Sequence, residues 1–279
     1  MKKLSIIIIS YNSEKYIGTC LESLKNCGVV NYEIIVVDNN SEDKTAQIVQ
    51  NYKMTIDHII FVQNKNNFGF AKACNQGVKM AKGKYILFLN PDTIVQPGAL
   101  KILVNNIEKN PDIGVIGPML LNPDRSLQYS IGKYPTIVNI IADRIPIINK
   151  IFYTEQIRHK AFYSYTREPD WICGAALMVR KSIFSAIGGF SQKYFMYGED
   201  IDLCFNVKRS GYQIMYIPNA QIVHFNDGRN QEKQLNKFIN IRKGFLIFFR
   251  IHYSIQSYIV LKWLFIIEAF IKRKPFVES

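Results

Sequence analysis

The chain is short of acid: 22 Asp and Glu stand against 35 Lys and Arg in 279 residues, a formal net charge of +13. That balance favours an acidic partner. Nucleic acid, anionic lipid and sugar-nucleotide or lipid diphosphates all meet it, so the sign alone does not choose. The five cysteines (Cys20, Cys27, Cys74, Cys173, Cys204) form no CxxC pair and no metal-ligand spacing. They read as reduced core residues of a cytoplasmic protein. No stretch reaches the roughly 18 uncharged apolar residues of a membrane span. The apolar run at residues 4–9 is too brief for a signal segment and lacks a small-residue cleavage site. No GxGxxG follows a strand, which argues against a dinucleotide-binding dehydrogenase. No glycine-rich loop follows the first strand either, which argues against a sugar nucleotidyltransferase; Ser10-Tyr11-Asn12-Ser13 stands there instead. Basic residues are not interleaved with aromatics in any nucleic-acid motif, so no nucleic-acid partner is expected.

What is present is a repeated unit in a chain 48% hydrophobic, enough for one large domain with an appendage or two small ones. Apolar strands at residues 4–9, 33–37, 59–62 and 85–89 alternate with helices. One helix places Ile17, Cys20, Leu21 and Leu24 on one face, and the next carries Thr45, Ile48, Val49 and Tyr52 behind Glu42 and Asp43 in its first turn. A third has the small face Cys74, Gly77, Val78 and Ala81. A fourth begins at Pro97 and turns Leu100, Leu103, Val104 and Ile107 inward. This alternation predicts an α/β fold with a mainly parallel sheet and right-handed crossovers. Three strands end in polar clusters: Ser10-Tyr11-Asn12, Asp38-Asn39-Asn40-Ser41 and Asn90-Pro91-Asp92. Ligands of such sheets sit beyond the carboxyl ends of the strands, so Asp92 falls where a diphosphate and its metal would bind. A plain turn is the alternative there.

Past residue 117 the pattern loosens. The isoleucine-rich segment 137–152 reads as an acceptor lid, a membrane-touching helix or a packed insertion. Residues 171–179 read as one strand with small residues Gly174, Ala175 and Ala176 in its middle. A short helix closed by Gly188-Gly189 follows, and then a helix over 201–210 behind Tyr194-Phe195-Met196-Tyr197-Gly198-Glu199-Asp200. Two strands, 212–217 and 220–223, are broken by Pro218 and lead to His224. The expected division is 1–228 as the main domain, with halves 1–117 and 118–228, and 229–279 as a basic amphipathic helical tail. That tail mixes Arg242, Lys243, Arg250, Lys262 and Lys272 with Ile, Leu, Phe and Trp263. It reads as an interfacial helix on anionic lipid, or as helices packed on the main domain or on a second subunit.

The ordered series Ser10-Tyr11-Asn12, Val37-Asp38-Asn39-Asn40-Ser41, Asn67-Phe68-Gly69-Phe70, Leu89-Asn90-Pro91-Asp92, Trp171-Ile172-Cys173-Gly174-Ala175, Gly188-Gly189-Phe190, Glu199-Asp200-Ile201-Asp202-Leu203 and His224 resembles family 2 of the inverting nucleotide-sugar glycosyltransferases. Within it the chain looks like the rhamnosyltransferase-like branch. The resemblance implies a GT-A fold, a nucleoside-diphosphate sugar donor and a divalent cation, Mg²⁺ or Mn²⁺. By that likeness Ser10 and Asn12 lie near the nucleotide, Asp38 contacts the base, and Asn67, Gly69 and Asn75 shape the donor pocket. Asp92 stands at the last acid of the metal-binding motif, and Asn90 occupies a donor-side position that is often Asp. The family's acid ahead of the Phe-Met-Tyr motif is absent, with Ser191-Gln192 after Phe190.

Transfer with inversion needs a base for the acceptor hydroxyl. Asp200 is the expected base, with Glu199 its rival on the acceptor side. His224 is a second metal ligand or a strand-end histidine, and Trp171 stacks on the acceptor or fills the core. The expected activity is transfer of L-rhamnose from dTDP-rhamnose to a glycan or polyprenyl-diphosphate-linked acceptor of bacterial surface polysaccharide, at the inner face of the cell membrane. A UDP-hexose donor (galactose, glucose or N-acetylglucosamine) and a non-catalytic membrane-binding module are the rivals. An oligomer is compatible with the sequence.

Overall fold

The computed structural model describes residues 3–25, 27–29, 31–56, 58–142, 157–226 and 231–272. In chain order its elements are β1 (Leu4–Ser10), α1 (Ile17–Leu24), β2 (Tyr32–Asp38), α2 (Thr45–Thr55), β3 (Ile59–Gln63), α3 (Phe70–Met80), β4 (Tyr85–Leu89), β5 (Thr93–Val95), α4 (Ala99–Lys109), β6 (Ile113–Leu121), β7 (Leu127–Gln128), β8 (Ile131–Gly132) and α5 (Ile137–Ala142). A 3₁₀ turn (Lys160–Tyr163) leads on to β9 (Trp171–Ile172), β10 (Ala176–Arg180), α6 (Lys181–Ala186), α7 (Glu199–Arg209), β11 (Gln213–His224), α8 (Gln231–His252) and α9 (Ile255–Lys272).

The main sheet runs β3-β2-β1-β4-β10-β6-β11-β5, with β7 attached to β6. Its first four strands are parallel, as their unbroken apolar runs require of strands covered on both faces. Side chains alternate across the sheet. Leu4, Ile6 and Ile8 enter the layer with α1 and α4, while Ile7 and Ile9 enter the layer with α3, α6 and α7. Beyond β4 the sheet becomes mixed: β10 lies antiparallel between β4 and β6, and β5 lies antiparallel on β11.

Several expectations change in detail. Residues 171–179 do not form one strand; β9 pairs with β8 in a separate two-stranded sheet, and the chain breaks at Gly174 and Ala175 before β10. The two strands around Pro218 are one, β11, whose register against β6 shifts between Ile217 and Gln221. A bulge is where a strand tolerates a residue without an N–H. Asp43 lies before α2 rather than in its first turn, and its carboxylate accepts the Thr45 N–H at 3.0 Å. Of the isoleucine-rich segment, α5 is described and 143–152 lies outside the described residues. The tail forms α8 and α9, which pack on the main domain: Phe245, Phe248, Phe249, Leu261 and Phe265 join the core that holds Trp171, Leu203 and Phe190.

Candidate functional site

Ser10, Asn12 and Asp38 meet at the carboxyl ends of β1 and β2, whose register aligns Ser10 with Asp38. The Ser10 hydroxyl donates to Asp38 Oδ1 at 2.9 Å, and the Ser41 N–H donates to Oδ2 at 2.9 Å. Asn12, in the left-handed region at φ 48°, receives the Glu42 N–H on its side-chain oxygen at 2.9 Å. The Asp38 side chain is therefore buried and braces the two strand ends together.

The loop before α3 is fixed at Asn67, whose side-chain oxygen accepts the Gly69 N–H at 3.0 Å. Gly69 has φ +80°, and a β-carbon there would meet the Phe195 carbonyl oxygen at 2.5 Å, so only glycine lets the 194–198 loop close on it. Asn75 is engaged at both ends by the main chain of Phe190, at 2.7 and 3.0 Å. It anchors the turn at Gly188 and Gly189 and does not join the strand-end cluster.

Asp92 follows β4 by three residues, and β5 then pairs with β11 so that Thr93 faces His224. His224 Nε2 lies 3.4 Å from Asp92 Oδ1 and 3.4 Å from Asn90 Nδ2. The Asn226 N–H donates to Asp92 Oδ2 at 3.1 Å. Burial pushes the Asp92 carboxyl up, but the hydrogen bond and charge of His224 and the Asn226 N–H outweigh it and hold the group below its usual range. On the far side of the ring, His224 Nδ1 is 2.7 Å from Gln128 Oε1. The Gln128 amide nitrogen donates to the His224 carbonyl at 3.2 Å and to Asn122 at 3.0 Å, so its oxygen is the acceptor and Nδ1 carries the proton. Nε2 is thereby turned to Asp92: with a proton it donates to Oδ1, and a cation held between the two would take that proton's place. Asp92 and His224 thus fit a divalent cation whose remaining positions are filled by phosphate oxygens and water. Among the described residues no group of three or more His, Cys, Asp and Glu gathers there.

Asp200 opens α7. Its Oδ2 accepts the Gly174 N–H at 2.9 Å and its Oδ1 the Ile201 N–H at 2.9 Å. The break between β9 and β10 thus has a cause: it frees Gly174 to point its N–H at Asp200. Two residues on, Ala176 aligns with Leu89, and the Asn90 N–H donates to the Ala175 carbonyl at 2.9 Å. One short stretch of main chain therefore ties the Asp200 carboxylate to the loop that bears Asp92. The Tyr197 hydroxyl lies in the field of Glu199, Cys173, Asp92 and Asp200 together, and burial with those charges pushes its pKa up to about 12. Tyr197 itself sits at φ 70°, a strained backbone of the kind that collects at functional sites.

Glu199 and Asp200 share this pocket with unequal partners. Burial raises both, and the Asp200 charge raises Glu199 further. Glu199 Oε2 is buried with no hydrogen-bond partner, whereas Asp200 receives main-chain N–H groups. The proton of the pair therefore belongs on Glu199 and the charge on Asp200. Trp171 is 6% exposed and its indole N–H donates to the Lys133 carbonyl at 3.0 Å, so it fills the core beside β8.

Two participants had no signal in the sequence, and a third, Tyr197, stood in the aromatic run before Glu199 without a role of its own. Gln128 sits in a two-residue strand, Tyr197 takes its place from a turn, and Lys237 arrives from α8. Its ammonium donates at 3.1 Å to Oδ1 of Asn226, the residue whose N–H holds Asp92, and its charge also reaches Cys173 beside Gly174. An open depression lined by Met119, Leu121, Arg125, Leu127 and Lys160 lies off this cluster; the hydrogen-bond chain, not cavity size, locates the site.

Residues 5–186 match the family described as Glycosyl transferase family 2, and residues 157–228 match the N-terminal domain of galactosyltransferase. The chain is 34% identical over 228 residues to the rhamnosyltransferase WbbL of Escherichia coli (strain K12), covering 79% of this chain and 82% of that protein. It is 27% identical over 235 residues to the N-acetylglucosaminyl-diphospho-decaprenol L-rhamnosyltransferase of Mycobacterium tuberculosis, covering 79% and 75%. Its fold superposes on the crystal structure of GalNAc-T7 with UDP, GalNAc and Mn²⁺ at a TM-score of 0.63 and 15% identity, over 88% of this chain and 48% of that one. With a family match across most of its length and a GT-A sheet whose strand ends carry the acids, the chain belongs to glycosyl transferase family 2 and is rhamnosyltransferase-like.

Proposed function

We propose that this glycosyltransferase moves L-rhamnose, with inversion, from dTDP-rhamnose to a glycan hydroxyl on a polyprenyl-diphosphate-linked acceptor at the inner face of the membrane, in the building of a surface polysaccharide. The observation that carries the reading is the main-chain link between Asp92 and Asp200: Gly174 N–H to Asp200 and Asn90 N–H to the Ala175 carbonyl. The names of the two rhamnosyltransferase relatives support the donor, and the decaprenol diphosphate in one of them supports the acceptor class.

Asp200 takes the proton of the acceptor hydroxyl as that oxygen bonds to the anomeric carbon from the face opposite the diphosphate. The bond from that carbon to the phosphate oxygen breaks, and its electron pair leaves with the nucleoside diphosphate. Each Asp200 oxygen keeps a lone pair beyond the main-chain N–H it already accepts, so the hydroxyl can be received without loosening the carboxylate. Asp92 and His224 would hold a Mg²⁺ or Mn²⁺ ion, which when bound supplies positive charge against the departing diphosphate. Lys237 adds a cation on the same side through Asn226. Ser10, Asn12 and Asp38 shape the nucleoside end.

The test is nucleoside-diphosphate release from dTDP-rhamnose against UDP-galactose, UDP-glucose and UDP-N-acetylglucosamine, with a polyprenyl-diphosphate-linked N-acetylglucosamine acceptor. Turnover with dTDP-rhamnose, lost in both Asp92→Asn and Asp200→Asn, is expected. Turnover with a UDP-hexose alone replaces the donor, full turnover in both variants removes the catalytic assignment of Asp92 and Asp200, and no turnover with any of the donors leaves a binding module.

A further inference from the structure

The last helix has two apolar faces, and only one of them is covered. Leu261, Phe265 and Ala269 of α9 are buried, and Arg242 of α8 meets Glu268 at 2.6 Å, so that side is fixed to the body of the protein. On the other side Ile255, Ile259, Trp263, Ile267 and Ile271 follow one another at steps of four, the spacing of a single helix face. Val260 and Phe270 lie beside them. Every one of these side chains is open to solvent, from 46% for Ile259 and Val260 to 86% for Phe270. Soluble surfaces do not ordinarily leave so long an apolar strip uncovered. Gln256 is the polar residue within it, and Lys262 stands at its border.

A second element extends the strip. Helix α5 packs beside α9, buries Ile140 and Ala142, and exposes Val138 at 74% and Ile141 at 39%. Two elements far apart in sequence thus present open aliphatic side chains at one place. Exposed Arg250 precedes the strip and lines a hollow with Lys193, Ile247 and Ile251.

We infer that the α5–α9 face is a membrane-docking surface that lies on an anionic bilayer, with Trp263, Ile267 and Phe270 entering the interface and Arg250, Lys193 and Lys262 meeting lipid phosphates. Charge selects this occupant. A second copy docked by the same face across a two-fold axis would bring Arg250 and Lys262 of both chains to one seam, on a protein of net charge +13. An anionic lipid surface instead offers the opposite charge, and an apolar strip flanked by basic residues is the pattern that lies in the headgroup plane. No helix among the described residues is long and apolar enough to cross a membrane, so the contact is with one leaflet.

The inference is independent of sugar chemistry, and its test needs neither donor nor acceptor. The full chain is floated with vesicles of phosphatidylcholine alone and of phosphatidylcholine mixed with phosphatidylglycerol, while tryptophan emission is recorded. Wild type is expected to float with the anionic vesicles, less so as salt rises, with a blue shift from Trp263. The double variant Trp263→Gln/Phe270→Glu is expected to lose at least tenfold in vesicle affinity with an unchanged melting temperature. Absence of binding to either vesicle overturns the inference, as does equal binding by the variant. Sedimentation showing a dimer that Phe270→Glu alone splits, without vesicle binding, overturns it in favour of a homodimer face.

Discussion

At the scale of single residues, the choice between Glu199 and Asp200 turns on who receives hydrogen bonds. A buried carboxyl with an oxygen left unpaired holds its proton, and one whose two oxygens both accept main-chain N–H groups holds its charge. Asp200→Asn is expected to lower kcat by about 10² to 10⁴, measured as nucleoside-diphosphate release. Glu199→Gln is expected to stay within about tenfold of wild type. Burial raises the Asp200 pKa, and the base works only when ionised. The acid limb of kcat/KM should therefore lie above the ordinary carboxylate range, and Glu199→Gln should leave it in place; loss of the limb in that variant would make Glu199 the base. Stability carries the opposite sign. A carboxyl whose folded pKa is raised binds more protons folded than unfolded, so it lowers stability as pH climbs through that raised value. Glu199→Gln should thus melt higher than wild type on the alkaline side and lose that advantage in mild acid. Lys237 makes a separate case: Lys237→Met should weaken nucleoside-diphosphate inhibition by about tenfold, and Lys237→Arg should recover part of it, since a charged partner for phosphate contributes roughly 1.5–3 kcal/mol.

At the scale of elements, α8 packs on the turn that carries the candidate acids. Gly244 lies so close to the Tyr197 carbonyl that an added β-carbon would collide with it, and the Gly198 Cα stands 3.5 Å from where that carbon would be. Farther along the helix, His252 Nε2 meets Asp202 Oδ1 at 2.6 Å, both side chains nearly buried. These two contacts bracket the turn that delivers Tyr197, Glu199 and Asp200. Gly244→Val should cost about 1–3 kcal/mol of stability through overpacking, and because the displaced group is Tyr197, kcat should fall further than the melting temperature implies. A variant with lowered melting temperature and wild-type kcat at a temperature where it is folded would separate α8 from the chemistry. None of this was legible in sequence. Strands β1, β2 and β4 were, because a strand covered on both faces reads as an unbroken apolar run. The candidate acids at 92 and 200 were singled out through motif order. Gly244 is one glycine in a helix, and Lys237 one lysine among many; their parts are set by which helix face meets the 194–198 loop, and that is decided by tertiary packing. The same reason hid the continuity of β11, where a proline usually ends a strand but here occupies a bulge.

For the whole molecule, the question is whether 229–279 is an appendage or part of the core. Phe245, Phe248, Phe249, Leu261 and Phe265 are each 7% exposed or less and join the cluster around Leu203, Tyr216 and Phe190. Burying a side chain of this size stabilises by about 1.5–3 kcal/mol, so the five together contribute roughly 10 kcal/mol. Some of that comes from α8 meeting α9 and would not be felt by the rest, but the sum is comparable with the whole net stability of a folded domain, about 5–15 kcal/mol. A chain ending at residue 228 would also leave Phe205 without Phe248 and His252, whose rings lie 5.4 and 4.3 Å away, and Asp202 without its histidine. Such a truncation should lose cooperative melting and bind a hydrophobic dye such as ANS, whereas Phe270→Glu, on the open face of the same helix, should melt with wild type. If the truncated chain instead unfolds in one sharp transition near the wild-type temperature, the tail is separable and the core closes without it. The two-faced helix then has a single reason to exist, the surface it leaves open; if the truncation collapses, one face holds the turn that carries Asp200 in place while the other meets whatever lies outside.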